Sequence, residues 1–309
     1  MLLVTRSQVR AILDWEDVIQ ATKRGLVAEV AKSAIVTAEV RYARGGLHLK
    51  SAALDKDQVL TVKANLRPDG GNVSGLLLVY DLEKGTLAAA VDSGLFTAMR
   101  TAAIATLAAQ TLCRRSGIRL AVLGYGKVGQ TTLERVCSSM DVADARIWTR
   151  RDLSEDEVPA KTTSGVPVRT VNNVAGAVAD ADLVITCTPS REPIVGPADL
   201  KESAVIVAMG ADSYGKRELG EGILNRAFLV GDVPSECVRV GEFAYLGPAN
   251  SSAILPLGKV LAGEAPLQYE GACVVFDSVG SSLVDAAVAS ALLRAVESSG
   301  AGTPVDLQL

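Results

Sequence analysis

The chain has 309 residues, 49% hydrophobic, 21% charged and only 4% aromatic, with a formal net charge of -4. That length suits two domains or one large one, with a core of Ala, Val, Leu and Ile, and an acidic balance with no basic run argues against a nucleic-acid surface. The longest charge-free apolar run near the middle, Thr101 to Cys113, is too short to span a bilayer, and the start MLLVTRSQVR lacks the long apolar region of a secretory leader.

Residues 1 to 115 read as an α+β domain. A helix starts at Ser7 to Ala11, and a longer one carries Val18, Ile19, Leu26, Val27 and Val30 behind the acids Asp14, Glu16 and Asp17, which suit an N-terminal turn. Short β-like runs follow at 37–42, 46–52, 59–63, 75–81 and 86–91. Gly45-Gly46, Pro68-Asp69-Gly70-Gly71 and Glu83-Lys84-Gly85 separate them as turns, so the sheet is mostly antiparallel. Lys63 ends one of these runs. On a sheet face near a cleft it would polarise a carbonyl or imine, or hold a carboxylate; at an edge it would only discourage strand pairing. Arg41, Arg44 and Arg100 are candidate carboxylate anchors, because a guanidinium fork pairs two oxygens. The alanine-rich helix expected at 97–115 places Arg100 in its first turn. A cation there opposes the helix dipole unless an anion is bound at that end. His48, the only histidine, reads as a strand residue facing solvent or a neighbour.

The stretch 119–151, RLAVLGYGKVGQTTLERVCSSMDVADARIWTRR, organises the rest. An apolar strand at 120–123 runs into Gly124, Gly126 and Gly129, spaced G-x-G-x-x-G. A helix follows from about Lys127 to Ser138, then a strand at 146–149. This is the βαβ unit that binds a dinucleotide, the glycines serving the tight turn, close pyrophosphate approach and helix–strand packing. The second strand ends in Thr149, Arg150 and Arg151 instead of the acid that holds a ribose 2′-hydroxyl. Two guanidiniums there favour NADP(H) over NAD(H), unless the turn is merely solvated.

Strands at 166–171, 183–187, 204–209 and 227–230 alternate with helices at 173–181 and 218–226. The pattern is a doubly wound parallel sheet of the Rossmann type, spanning 116–280. Ligands bind beyond the carboxyl ends of such strands. Thr188, Pro189 and Ser190 lie past one end; Met209, Gly210 and Asp212 lie at or past another. Asp212 is a candidate to move a proton at an amine nitrogen, or else a capping aspartate. A helical region carries Glu236 and Glu242. A last strand at 273–276 and a helix at 281–299 follow, and the tail from Gly300 reads as frayed. The five cysteines (113, 137, 187, 237 and 273) form no C-x-x-C and read as reduced core thiols of a cytoplasmic protein. With one histidine, no His-rich metal site is expected.

Several motifs occur together. They are Asp92 to Ala103 with its T-x-x-R-T-A-A core, Val62-Lys63 before the turn ending at Asn72, and Thr188-Pro189-Ser190 with Glu192-Pro193. Gly210-Ala211-Asp212 with Gly215-Lys216 and Glu218-Leu219, and Phe276-Asp277-Ser278 with Gly280 and Asp285, complete the set. In this order the chain resembles the ornithine cyclodeaminase/mu-crystallin family over nearly its whole length. The resemblance implies a homodimer whose first domain, 1–115 plus the returning helix 281–309, binds substrate and partner. It implies that Arg41, Lys63 and Arg100 hold the α-carboxylate of an amino or imino acid, with Asp212 as acid/base. It also implies a nicotinamide cofactor along Gly124, Gly126, Lys127, Val128, Gly129, the Thr149 turn, Thr188 to Ser190, Met209 and Gly210. Family reactions are dehydrogenation or imine reduction at a C–N bond beside a carboxylate, and cyclodeamination with loss of ammonia and no net redox; mu-crystallin itself also binds a hormone. One departure is that the family often has Gln shortly after the second glycine, where this chain has Val128-Gly129. The insert after the first helix is also short, so the substrate pocket can differ.

Overall fold

The computed structural model describes residues 1–29, 35–68, 73–154, 157–246, 253–269 and 271–306. Val30, Asp69, Gly70, Gly71 and Asn72, all used above, lie outside the described residues. The chain divides into two compact units, Met1–Arg100 with Ser281–Leu309, and Thr101–Gly280. The border expected at residue 115 thus falls at Arg100, within a helix whose second half belongs to the second unit.

The first unit has a seven-stranded sheet. Its strands are β1 (Leu2–Val4), β2 (Ile35–Tyr42), β3 (Gly45–Leu54), β4 (Val59–Pro68), β5 (Ser74–Asp81), β6 (Thr86–Asp92) and β15 (Thr303–Pro304). They lie in the order β15-β1-β6-β5-β4-β3-β2, antiparallel except where β1 joins β6. The tail expected to fray is instead held as far as Pro304, because Thr303 and Pro304 pair with Leu3 and Leu2. Helices α1 (Arg6–Ile12), α2 (Trp15–Glu29) and α8 (Ser282–Ser299) complete the unit with the first turns of α3 (Ser93–Leu112). Thr5 and Gln8 close a capping box on α1, and Asp14 accepts the Glu16 N–H at 2.7 Å ahead of α2. A Cβ on Gly25 would sit 2.6 Å from the Val284 Cα, so only glycine lets α2 cross α8 this closely.

Register sets what the two faces of this sheet carry, since side chains alternate along a strand. Lys63 stands opposite Lys50, and Lys50 opposite Thr37; this row shares a face with Asn65, His48 and Glu39. The other face is apolar. It includes Val36, Val40, Tyr42, Leu66 and Leu76, all large and exposed.

The second unit is an eight-stranded, wholly parallel sheet. Its strands are β7 (Ile118–Leu123), β8 (Val142–Trp148), β9 (Val168–Thr170), β10 (Leu183–Thr186), β11 (Val205–Ala208), β12 (Phe228–Gly231), β13 (Leu255–Pro256) and β14 (Val274–Asp277). Helices α4 (Lys127–Ser139), α5 (Val174–Val178), α6 (Pro234–Val240) and α7 (Leu257–Leu261) connect them, and the second half of α3 enters at the start. The order β13-β12-β14-β11-β10-β7-β8-β9 reverses direction between β7 and β10. That switch point is where a doubly wound sheet opens to a ligand. Burial on both faces explains the continuous apolar runs of β10 and β11, every residue of which is buried. The fold is the doubly wound sheet with an α+β partner unit that the sequence led us to expect. One expected helix is missing. Of 218–226, only Leu224–Arg226 winds, as a 3-10 turn, because Glu218 is drawn fully into the interior.

Candidate active site

The first unit builds a buried charge cluster from three distant stretches. Lys63 is near the middle of β4, flanked by β3 and β5, and is 3% exposed, so it is neither a strand end nor an edge residue. Its Nζ lies 2.6 Å from Oδ2 of Asp285, in the first turn of α8. The other carboxylate oxygen of Asp285 lies 3.0 Å from Nε of Arg100. All three side chains are nearly inaccessible. Burial raises the proton affinity of Asp285, but Lys63 and then Arg100 outweigh it and hold the carboxyl below its usual range. The Lys63 ammonium is pushed down to about 7, first by burial and then by Arg100, against the pull of Asp285.

Arg100 does not occupy a first turn. The helix starts at Ser93, with Asp92 Oδ1 accepting the N–H groups of Gly94 at 3.2 Å and Leu95 at 3.4 Å. The dipole argument for an anion at Arg100 therefore falls, and the burial of its charge beside Asp285 replaces it. Arg41 stays apart from the cluster. It lies on the edge strand β2 in the row of Gly46 and Arg67, four residues along from the Lys63 row, roughly 13 Å. It is paired with Glu39 at 3.2 Å. His48 lies 3.7 Å from the same Glu39. Arg44 is exposed in the turn between β2 and β3.

The second unit presents the nucleotide-binding turn. Gly124 has φ of +103°, and a Cβ there would come within 2.8 Å of the Cys187 carbonyl oxygen across the switch point. A Cβ on Gly129 would overlap the Gly124 carbonyl oxygen, so the last glycine lets α4 meet β7. Gly126 differs. It is the N-cap of α4, no side chain caps that end, and nothing lies within 4 Å of where its Cβ would be. The first-turn N–H groups of α4, from Lys127, Val128 and Gly129, lack helical partners by geometry and face an open approach, which fits a pyrophosphate. The residues present thus fit a dinucleotide.

After β8, Thr149 leads to two arginines in different situations. Arg150 Nη2 donates to Ser190 Oγ at 3.2 Å, reaching from the end of β8 to the loop after β10. Arg151 is turned to Glu157 at 2.6 Å, which holds that exposed carboxyl down at about 2. Only Arg150 is thus directed at the expected cofactor loop.

The loops beyond β10 and β11 are tied to Glu218. Its Oε1 accepts from the Thr188 N–H (2.6 Å) and hydroxyl (2.7 Å); its Oε2 accepts from the Thr186 hydroxyl (2.6 Å) and the Gly210 N–H (2.9 Å). A Cβ on Gly210 would overlap both the Thr188 carbonyl oxygen and that carboxylate. Both donors of Thr188 are therefore committed to the protein. Met209 is buried and donates its N–H to Thr186. Ser190 donates its hydroxyl to the Glu192 carbonyl at 2.7 Å, leaving Pro189 as the spacer of the loop. Asp212 follows the Gly210 turn at the carboxyl end of β11, with Oδ1 2.7 Å from the Lys216 ammonium. It is a short-range ion pair at a strand end, where acid/base chemistry is possible.

More buried acids stand behind these loops. Glu242 accepts the N–H groups of Glu218 (2.6 Å) and Leu219 (3.2 Å), and burial with the charge of Glu218 pushes it up to about 8. Asp232 collects the Val233 and Gly280 N–H groups and the Ser278 hydroxyl, and Asp277 accepts the Phe243 N–H at 3.0 Å. Sequence reading missed Glu218 as an anchor and placed it at a helix start. Asp285, an acid inside the apolar face of SLVDAAVASALL, carries a usable sequence signal of its own.

Sequence and fold comparisons relate the chain to known proteins. The iminosuccinate reductase of Paracoccus denitrificans is 24% identical, covering 99% of this chain and 100% of the relative. The ketimine reductase mu-crystallin of Mus musculus is 31% identical over 72% of this chain and 70% of the relative. An archaeal alanine dehydrogenase dimer with bound NAD superposes with a TM-score of 0.90 at 23% identity, covering 99% of both chains. The family model for the ornithine cyclodeaminase/mu-crystallin family matches residues 4–300. With that match over nearly its whole length, the chain belongs to the ornithine cyclodeaminase/mu-crystallin family.

Proposed function

We propose that this protein is an NAD(P)H-dependent oxidoreductase that reduces a C=N bond beside a carboxylate, or oxidises the corresponding amine. The observation that carries this is the buried Lys63–Asp285–Arg100 cluster, whose two cations outnumber its one acid. It is built for an anion, in a family whose named members include imine reductases and an amino acid dehydrogenase. In this reading Lys63 and Arg100 hold the substrate α-carboxylate, and the ammonium of Lys63 favours electron flow from the imine carbon. Asp285 fixes both cations so that their direction does not depend on substrate. Arg41, on its separate row, would act only at the margin of the site. When bound, the dinucleotide supplies a hydride to the imine carbon and leaves oxidised. The balancing proton reaches nitrogen from Asp212, which lies 2.7 Å from the Lys216 ammonium.

The glycine turn and Gly126 would hold the pyrophosphate. NADP(H) is the preferred cofactor in this proposal, because β8 ends without an acid and Arg150 faces the loop of Ser190. Arg150→Ala should raise the dissociation constant for NADPH about tenfold while leaving that for NADH nearly unchanged, as titration of cofactor fluorescence would show. Equal effects on both would remove the NADP assignment. The exposed apolar sheet face of Val36, Val40, Tyr42, Leu66 and Leu76 supports a homodimer, the form expected from the family resemblance. Free cysteines, four of them buried, support a reducing compartment such as the cytoplasm.

The test is a screen of cyclic imines, of 2-oxo acids with ammonia, and of amino acids, following reduced-nicotinamide absorbance and ammonia together. Consumption of NADPH with an imino acid supports the proposal. Ammonia released from a diamino acid without net absorbance change would assign the cyclodeaminase reaction instead. Cofactor binding with neither change would leave a binding protein.

A further inference from the structure

Two polar links, not one, tie β4 to its neighbours around the charge cluster. Lys63 and Asn65 stand two residues apart on one face of β4, and Thr97 and Arg100 stand three residues apart on one side of α3. Asp285 joins Lys63 to Arg100. Beside it, Ser93 Oγ donates to Asn65 Oδ1 at 2.6 Å, and Asn65 Nδ2 makes a long contact of 3.5 Å to Thr97 Oγ1. Ser93 and Asn65 are both buried. Glycine makes room for this amide, because a Cβ on Gly75, the cross-strand partner of Asn65, would come within 2.6 Å of Oδ1. The direction of the relay leaves one proton over. Ser93 gives its proton to the amide oxygen, so the amide nitrogen faces Thr97 and makes that hydroxyl an acceptor. The Thr97 O–H then has no acceptor among the described residues. Thr111 and Thr131 direct theirs to the carbonyl four residues back, at 2.6 and 2.7 Å, the ordinary outlet for a helical hydroxyl. Thr97 does not, and it is half-buried, one helical turn before Arg100.

Resting on the reading above, we propose that the Thr97 hydroxyl donates a hydrogen bond to the substrate carboxylate held by Lys63 and Arg100, and that Asn65 is the positioning residue that keeps this hydroxyl a donor. A carboxylate offers about four lone-pair sites, so two cations leave room for a neutral donor. The cations supply attraction, and a hydroxyl of fixed polarity adds direction. Thr97 thereby contributes to the affinity and orientation of the anion, while the reacting bond is handled elsewhere.

The test needs no catalysis. Calorimetric titration of the intact protein with propionate, and with propionamide as the neutral control of similar shape, measures carboxylate binding alone. Thr97→Val should weaken propionate binding about tenfold and leave the urea unfolding midpoint nearly unchanged, and Thr97→Ser should restore the affinity. Asn65→Asp supplies the check on direction. A carboxylate at position 65 accepts from Thr97 as well as from Ser93, so the Thr97 proton turns inward. In that background Thr97→Val should cost no further affinity, a comparison that cancels the effect of the added charge. Propionate affinity unchanged in Thr97→Val overturns the Thr97 assignment. The same loss with and without Asn65→Asp overturns the role of Asn65. A parent protein that binds propionate no better than propionamide would sink the carboxylate reading of Lys63 and Arg100, and Thr97 with it. Thr97-dependent propionate binding without any NAD(P)H turnover would uphold the anion site and sink the oxidoreductase reading instead.

Discussion

The two units each bury carboxylates completely, yet treat them in opposite ways. In the first, Asp285 lies between two cations, and their charges hold it ionised in spite of burial. In the second, Glu218, Glu242, Asp232 and Asp277 accept mainly backbone N–H groups and hydroxyls. Burial raises the proton affinity of Glu218, Glu242 and Asp277. On the proposed reading, the first is a charge kept for a ligand and the others are charges kept for architecture. Paired charges with a cationic surplus attract an anion. Acids that accept N–H groups fix loops at the carboxyl ends of strands, as Glu218 does for those of Thr188 and Gly210.

Replacing Asp285 with Ala should break this contrast most severely. Two buried cations would lose their counter-charge, at about 3–5 kcal/mol of stability, read from urea unfolding of the intact chain. A loss below about 1 kcal/mol would mean that solvent already screens the cluster. Asp212→Asn sharpens the comparison from the other side. It should lower kcat by about a hundredfold with little change in unfolding midpoint, because the Asp212 side chain is part-exposed, 18% accessible. Unchanged turnover would remove its proton-transfer role.

A third prediction concerns pH. Lys63 is depressed, so the free enzyme loses its ammonium well below the usual lysine range. The kcat/KM for the anionic substrate should therefore fall as pH rises through about 7. Lys63→Arg should move that fall out of the accessible range. A flat profile in the parent enzyme would show that Asp285 keeps Lys63 protonated throughout. The smallest effect is expected from Glu242. Its folded proton affinity exceeds the unfolded one, so the folded state binds more protons between about 4.5 and 8. Its contribution to stability is complete below that window and lost as pH rises through it. Glu242→Gln retains one carbonyl acceptor for the Glu218 N–H and should flatten the decline of Tm over that interval.

Local pattern was enough for most of the frame. The short β-like runs at 59–63 and 86–91, set off by turn signals, marked strands, and the glycine spacing after 120–123 marked the nucleotide turn, because both depend on neighbours within a few residues. The errors fall where a distant partner decides. The expected first-turn place of Arg100 failed because Asp92 and Ser93 start the helix earlier. The expected helix at 218–226 failed because Glu218 is needed by Thr186, Thr188 and Gly210. The tail from Gly300 forms a strand only because β1 offers it an edge.

The sequence by itself determined the doubly wound unit, the family, the glycine turn and the absence of an acid after β8, all features written in local spacing and residue type. Tertiary structure alone decided that Lys63 is central and buried, that Arg150 and not Arg151 faces Ser190, and that Asp285 sits between Lys63 and Arg100. The reason is distance along the chain: Asp285 is 222 residues from Lys63, and only packing of α8 against the sheet brings their charges within 2.6 Å.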